Sequence, residues 1–181
     1  MTNPHSQARL RSVILVCFAL HLLSRVGSKK TLGRQGLFLP TDQTSRYGAV
    51  KLSTPITLSY CDKWKVEFDF RIDGNGTAQF GKGDGFTFWY LANPPTGFVS
   101  GGGLGIPANA SGLMVGFDIF NNTTEGQMSK VHILYGTNNT AGNNIEFNTT
   151  PGSTFHSPDL IATQPFVGDT YRHVEVNGET D

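Results

Sequence analysis

The 181-residue chain has little charge and no excess of either sign. Lys+Arg and Asp+Glu number 14 each, together 15% of the residues, where about a quarter is usual. No block of Lys or Arg occurs, which argues against nucleic-acid binding through counterion release. Cysteine is scarce: Cys17 and Cys61 are the two. Cys17 lies in an apolar N-terminal run, so Cys61 stands alone in the rest of the chain. One thiol makes no internal disulfide, and a buried free thiol is expected. Ala, Leu, Glu and Lys are thin where Gly, Thr and Asn abound, which excludes a long helical bundle. No GxSxG, HExxH, P-loop or GxGxxG between strand and helix occurs, so the usual devices of those chemistries are missing. What is present is 22 Gly, 9 Pro and 13 Phe, a composition of turns and aromatic core that excludes disorder.

Arg9 and Arg11 precede the apolar run Val13–Leu23 (VILVCFALHLL), and Val26 and Ser28 are small enough for a cleavage site. This layout predicts a secretory signal peptide over residues 1–28. The run is short of the roughly 20 apolar residues needed to span a bilayer. Removing Arg9, Arg11 and Arg25 with the leader leaves 11 basic against 14 acidic residues. Residues 29–181 are then expected to form one domain.

That remainder reads as strands and loops. In Lys65–Asp73, Val66, Phe68, Phe70 and Ile72 alternate with charged residues, so one face is buried and one solvated. Phe86–Leu91 (FTFWYL) is almost wholly apolar and predicts a strand buried on both faces. Leu113–Phe120, Lys130–Tyr135 and Tyr171–Val176 are further strands, the last followed by an Asn177–Gly178 turn signal. No stretch sustains a helical period. Short strands and Gly-rich turns predict an all-β, antiparallel β-sandwich.

Three features carry chemistry. Asp84 sits between Gly83 and Gly85, just before the most apolar strand, which presents a carboxylate at a strand end. Gly101–Gly105 (GGGLG) exposes backbone N–H groups to close approach by a ligand. Asp118, Phe120 and Asn122 alternate at a strand end and offer hard oxygens suited to calcium. Taken singly, each is also explained as a turn or a strand-end cap.

Together they resemble a known family. Trp64–Phe70 (WKVEFDF), Gly83–Leu91 (GDGFTFWYL), Gly101–Pro107 (GGGLGIP) and Gly112–Asn122 (GLMVGFDIFNN) follow one another in the order and spacing of the L-type, legume-lectin-like lectins. The similarity covers roughly residues 30–178. It implies a concanavalin-like jelly roll with a sugar site on loops at one end. It implies that Asp84 accepts hydrogen bonds from two sugar hydroxyls and that the peptide before it is cis. Gly102 or Gly103 would donate a backbone N–H to the sugar. Asn122 would bind both calcium and sugar, Asp118 would be the metal carboxylate, and Phe120 would give a carbonyl to the metal and its ring to the pyranose. Calcium would order the site without touching the sugar.

The chain departs from the family pattern in places. Legume lectins place a transition-metal Glu two residues before the metal Asp; Gly116 stands there, so no transition metal is expected beside the calcium. The family's later metal Asp and sugar-contacting His have no match in Glu146–Ser153 (EFNTTPGS), and Glu125 is a substitute ligand at best. His132 is expected to be a packing residue. The family's domains run longer, so C-terminal strands are expected to be missing. Asn75, Asn109, Asn121, Asn122, Asn138 and Asn148 begin glycosylation sequons. Asn75, Asn109, Asn138 and Asn148 are the candidate acceptors, while a glycan on Asn122 would block the calcium site.

The expected function is a secreted, calcium-assisted, non-catalytic carbohydrate-binding module whose partners are glycans or glycoproteins. Two alternatives remain. One is a domain of the same fold that has lost its sugar site and serves adhesion or assembly. The other is a jelly-roll glycoside hydrolase using Glu-x-Asp-x-x-Glu. Glu67 and Asp69 fit its first two positions, but Ile72 occupies the third, so the acid/base carboxylate is absent.

Overall fold

A computed structural model of the chain describes residues 13–21, 47–51, 63–72, 83–92, 103–105, 110–121, 124, 126–139 and 153–179. These form eight strands: β1 Val13–His21, β2 Tyr47–Lys51, β3 Lys63–Phe70, β4 Gly83–Leu91, β5 Ala110–Asn121, β6 Gly126–Asn139, β7 Ser153–His156 and β8 Arg172–Glu179. Every strand pairing is antiparallel. Six strands make one sheet in the order β2-β1-β4-β5-β6-β7, and β3 with β8 makes a second, two-stranded sheet. A single parallel bridge, Ile72 to Val167, joins the ends of the smaller sheet's connections.

The sequence patterns explain the layers. In β3 the side chains at Trp64, Val66 and Phe68 are half-buried while Lys63, Lys65, Glu67 and Asp69 are exposed, so one face only meets the core. In β4, Phe86, Thr87, Phe88 and Trp89 are all buried, as expected of an apolar run covered on both faces. Phe68 stacks on Phe88 at 5.9 Å between ring centroids, and Phe70 meets Phe86 edge-on at 4.8 Å. Phe86 in turn stacks on Phe117 of β5 at 4.6 Å. Offset and edge contacts of this kind add to the area that the rings bury. The result is an antiparallel β-sandwich whose centre is phenylalanine, closed by Ile72, Ile119 and Phe166.

One local expectation is corrected. The Asn177–Gly178 turn does not form: β8 runs on to Glu179, with Gly178 paired to Trp64. A Cβ at Gly178 would run into the Trp64 indole, so glycine serves there to let the ring lie across the strand. The β5–β6 ladder shifts register between Asp118↔Lys130 and Phe120↔Gln127, with Met128 and Ser129 of β6 set against Ile119, so the extra residue of this bulge belongs to β6.

The apolar run expected to be a leader is placed as β1, paired with β4 from Val13↔Leu91 to His21↔Gly83 and with β2 on its other side. Cleavage at Ser28 would remove this strand from between β2 and β4. Among the described residues, no helix is long and apolar enough to cross a membrane.

Candidate functional site

Three chain segments converge at one end of the larger sheet. The first is the start of β4, where the Gly83–Asp84 peptide is cis and Asp84 is half-buried. The second is the loop at 103–105, all three residues buried, with Leu104 at φ 53° and Gly105 at φ 73°. The third is the end of β5, where Asp118 lies opposite Gly85 in the ladder.

Each approach depends on a small residue or a specific bond. Gly85 has φ 145°, and a Cβ there would strike the Phe117 carbonyl and press on the Leu104 side chain. Only glycine lets β4, β5 and the loop come this close. A Cβ built on Gly83 would lie 3.3 Å from Phe120 Cβ, so the backbone before Asp84 sits directly on Phe120. The Thr87 hydroxyl donates to the Leu104 carbonyl at 3.0 Å and ties the glycine loop to β4 within the protein interior.

Asp118 is fully buried. Its Oδ1 accepts from the Phe120 backbone N–H at 3.1 Å, and its Oδ2 lies 3.3 Å from His132 Nε2 on β6. His132, also fully buried, has its Nδ1 2.7 Å from Nδ1 of the exposed His156 on β7. With His132 neutral and its proton on Nε2, Nδ1 accepts from His156, and the chain of three is satisfied from end to end. A buried carboxylate calls for a cation or several donors, and carboxylate and backbone carbonyl oxygens are the hard ligands calcium takes, so Asp118 and the Phe120 carbonyl fit such an ion by their chemistry. Beyond it, Asn121 Oδ1 accepts from Thr124 N at 3.1 Å, which shapes the turn that leaves β5.

The structure thus brings Asp84, Gly103, Asp118 and Phe120 to one place. Gly102, Asn122 and Glu125 lie outside the described residues, as do Asn75, Asn109 and Asn148; Asn138 is on β6 and Asn121 ends β5. His132 is a packing residue by burial but also the hydrogen-bond partner of Asp118, which the alternating pattern of β6 did not reveal. His156 and Asp159 were missed. Asp159 Oδ1 accepts from Ser129 N at 2.9 Å and Ile161 N at 3.0 Å, holding the segment after β7 against β6. Their sign in the sequence is the short spacing of His156, Ser157 and Asp159, just past Glu146–Ser153.

Glu67 and Asp69 lie elsewhere, on the solvent face of the β3–β8 sheet. Asp69 stands opposite His173, and Glu67 opposite Glu175. His173 Nδ1 is 2.9 Å from Asp69 Oδ1, and Lys65 Nζ is 3.0 Å from Glu67 Oε1. The Asp69 hydrogen bond raises the His173 pKa above its usual value; desolvation opposes it, and the charge of Asp69 and the contact with Glu175 add to the rise. The hydrogen bond from Lys65 lowers that of Glu67. Ile72, in the position where a hydrolase of this fold needs its acid/base, is buried in the core.

A family model described as the Legume-like lectin family matches residues 25–149 of the chain. No curated protein and no solved structure gave a match.

Proposed function

The chain belongs to the legume-like lectin family, and from that premise we propose that it is a calcium-assisted, non-catalytic carbohydrate-binding module. The observation that carries this reading is the meeting of Asp84, the 103–105 loop and the Asp118–Phe120 end of β5 at one end of the sheet. In this reading Asp84 accepts from two hydroxyls of a sugar. A backbone N–H of Gly102 or Gly103 donates to it, and Asn122 donates from the opposite side. The Phe120 ring offers an apolar surface to the pyranose. Asp118, the Phe120 carbonyl and Asn122 would hold calcium, whose charge orders these groups before the sugar arrives. His132 keeps the Asp118 carboxylate aimed.

Nothing in the arrangement calls for covalent chemistry. The two carboxylates of a retaining glycosidase face one another across the scissile bond. Here Glu67 and Asp69 lie on an exposed sheet face and their would-be partner position is a buried isoleucine.

Calorimetric titration of calcium into the full chain, followed by a glycan array with and without EDTA, tests the proposal. Asp84→Ala is expected to weaken glycan binding by about 100-fold, the loss of hydrogen bonds to a charged group, with calcium binding retained. Asp118→Asn is expected to abolish calcium binding. A folded chain that binds neither calcium nor any glycan would overturn this reading in favour of an adhesion or assembly domain of the same fold.

Export through a cleavable leader accompanies the proposal and rests on Arg9, Arg11 and the Val13–Leu23 run. Intact mass of the secreted chain should place its first residue near Lys29. A secreted chain that still contains Val13–His21 would instead make β1 a permanent strand.

A further inference from the structure

The geometry points to a second cation site, of transition-metal type and distant in character from the calcium ligands, on the solvent face of β3 and β8, with Glu67, His173 and Glu175 as ligands to a divalent ion of the zinc class. The antiparallel register sets Glu67 directly against Glu175, and Asp69 directly against His173. One ligand atom from each of Glu67, His173 and Glu175 lies within 4.8 Å of the others. Ligand atoms bonded to one zinc at about 2.0–2.2 Å stand some 3–4 Å apart. The three exposed side chains therefore need only a small contraction, over a backbone pinned by Val66, Phe68, Val174 and Val176 against the core.

The imidazole is oriented for this task. His173 Nδ1 lies 2.9 Å from Asp69 Oδ1, so in the neutral ring the proton sits on Nδ1 and the free lone pair on Nε2. Nε2 lies between the two glutamates, 3.7 Å from Glu67 Oε1 and 3.6 Å from Glu175 Oε1. A carboxylate on one imidazole nitrogen and a metal on the other is a recurring way of fixing a histidine ligand. Asp69 is thus a positioning residue, not a ligand.

Charge points the same way. Like charges directly opposite across a ladder are unfavourable, and here one cation, Lys65, 3.0 Å from Glu67 and also within the field of Glu175, serves both glutamates. A divalent ion would neutralise both. A nitrogen ligand with two carboxylates suits zinc better than calcium, which takes oxygen alone. Three protein ligands at an exposed site leave a coordination position for water or for a group on a binding partner. The site does not depend on the lectin reading, because it shares no residue with the sugar and calcium site.

Zinc titrated by calorimetry into the full chain, with calcium held at saturation, is expected to reveal one site of 1:1 stoichiometry. His173→Ala should abolish it. Glu67→Gln and Glu175→Gln should each weaken it by at least about tenfold, and Asp69→Asn by about 10–100-fold, as loss of an orienting carboxylate does. Cobalt substituted for zinc should give a ligand-field spectrum that disappears in His173→Ala. Glu67, Asp69, His173 and Glu175 are exposed, so in the metal-free protein at pH 8.5 the variants should keep the wild-type thermal midpoint, and glycan binding should not change. Zinc affinity that is equal in wild type and His173→Ala, or absent in the folded wild type, would overturn the assignment.

Discussion

Among the described residues are two Asp–His pairs, and they could hardly differ more in setting. Asp118 and His132 join β5 to β6 inside the protein, 3.3 Å apart and both without solvent exposure. Asp69 and His173 join β3 to β8 on the outer face, 2.9 Å apart with about half of each side chain exposed. The shorter bond is not the more consequential one. In water the Coulomb attraction is screened and the cost of ordering two side chains offsets it, so an exposed pair adds little to stability. In the interior the same groups have no water to fall back on, and each must keep its partner. The buried pair therefore fixes geometry, while the exposed pair leaves a nitrogen free to take a ligand. One pair lies behind the glycine loop and the Asp84 strand, the other on the unbroken β3–β8 ladder.

Truncating the buried pair gives the largest expected effect. Asp118→Ala orphans both the Phe120 N–H and the His132 Nε2–H, and should lower the unfolding free energy by about 3 kcal/mol. Urea denaturation of the calcium-free chain measures it without any contribution from metal binding. The equivalent change at the exposed pair, Asp69→Ala, should leave the denaturation midpoint where it was. A loss at Asp118 no larger than the loss at Asp69 would mean that the buried pair does not form in solution, and the distinction between the two would collapse.

The sequence makes the two pairs unequally legible. The alternation of Lys65–Asp73 is period two over nine residues, so the solvated face of β3 and the place of Asp69 upon it follow directly. The buried run at Phe86–Leu91 is equally plain, and with it the sandwich and the aromatic core. The partners across strands are not legible. That His173 stands opposite Asp69, or His132 beside Asp118, depends on register between segments 104 and 14 residues apart. No local pattern encodes this register. The bulge opposite Ile119 is also silent in the sequence, since Met128 and Ser129 of β6 carry no local signal for an extra residue. At the far end, Asn177–Gly178 reads as a turn because the pair favours one locally. The Trp64 ring lying over Gly178 overrides that preference. The glycines around Asp84 are the reverse case. They mark a place of unusual dihedrals, and the structure has Gly85 at φ 145° there, against the Phe117 backbone.

The smallest expected effect is a pH dependence of the exposed pair, and its sign is fixed by the direction of the shift. The His173 pKa is raised in the folded chain above 6.5, chiefly by the Asp69 hydrogen bond. The protonated imidazole is thus favoured by folding, and the pair's contribution is fully present below pH 6.5. It fades as pH rises through the folded value, where the proton leaves His173 in the native state as it already has in the unfolded one. In the presence of a chelator, the thermal midpoints of wild type and Asp69→Asn should therefore differ slightly at pH 5.5 and converge by pH 8.5. Adding zinc at the higher pH should separate them again, because the deprotonated Nε2 is then the ligand that Asp69 orients. A gap that widens with pH in the chelated protein would show that Asp69 acts on some group other than His173, and the contrast between a structural buried pair and a ligand-ready exposed one would have to be redrawn.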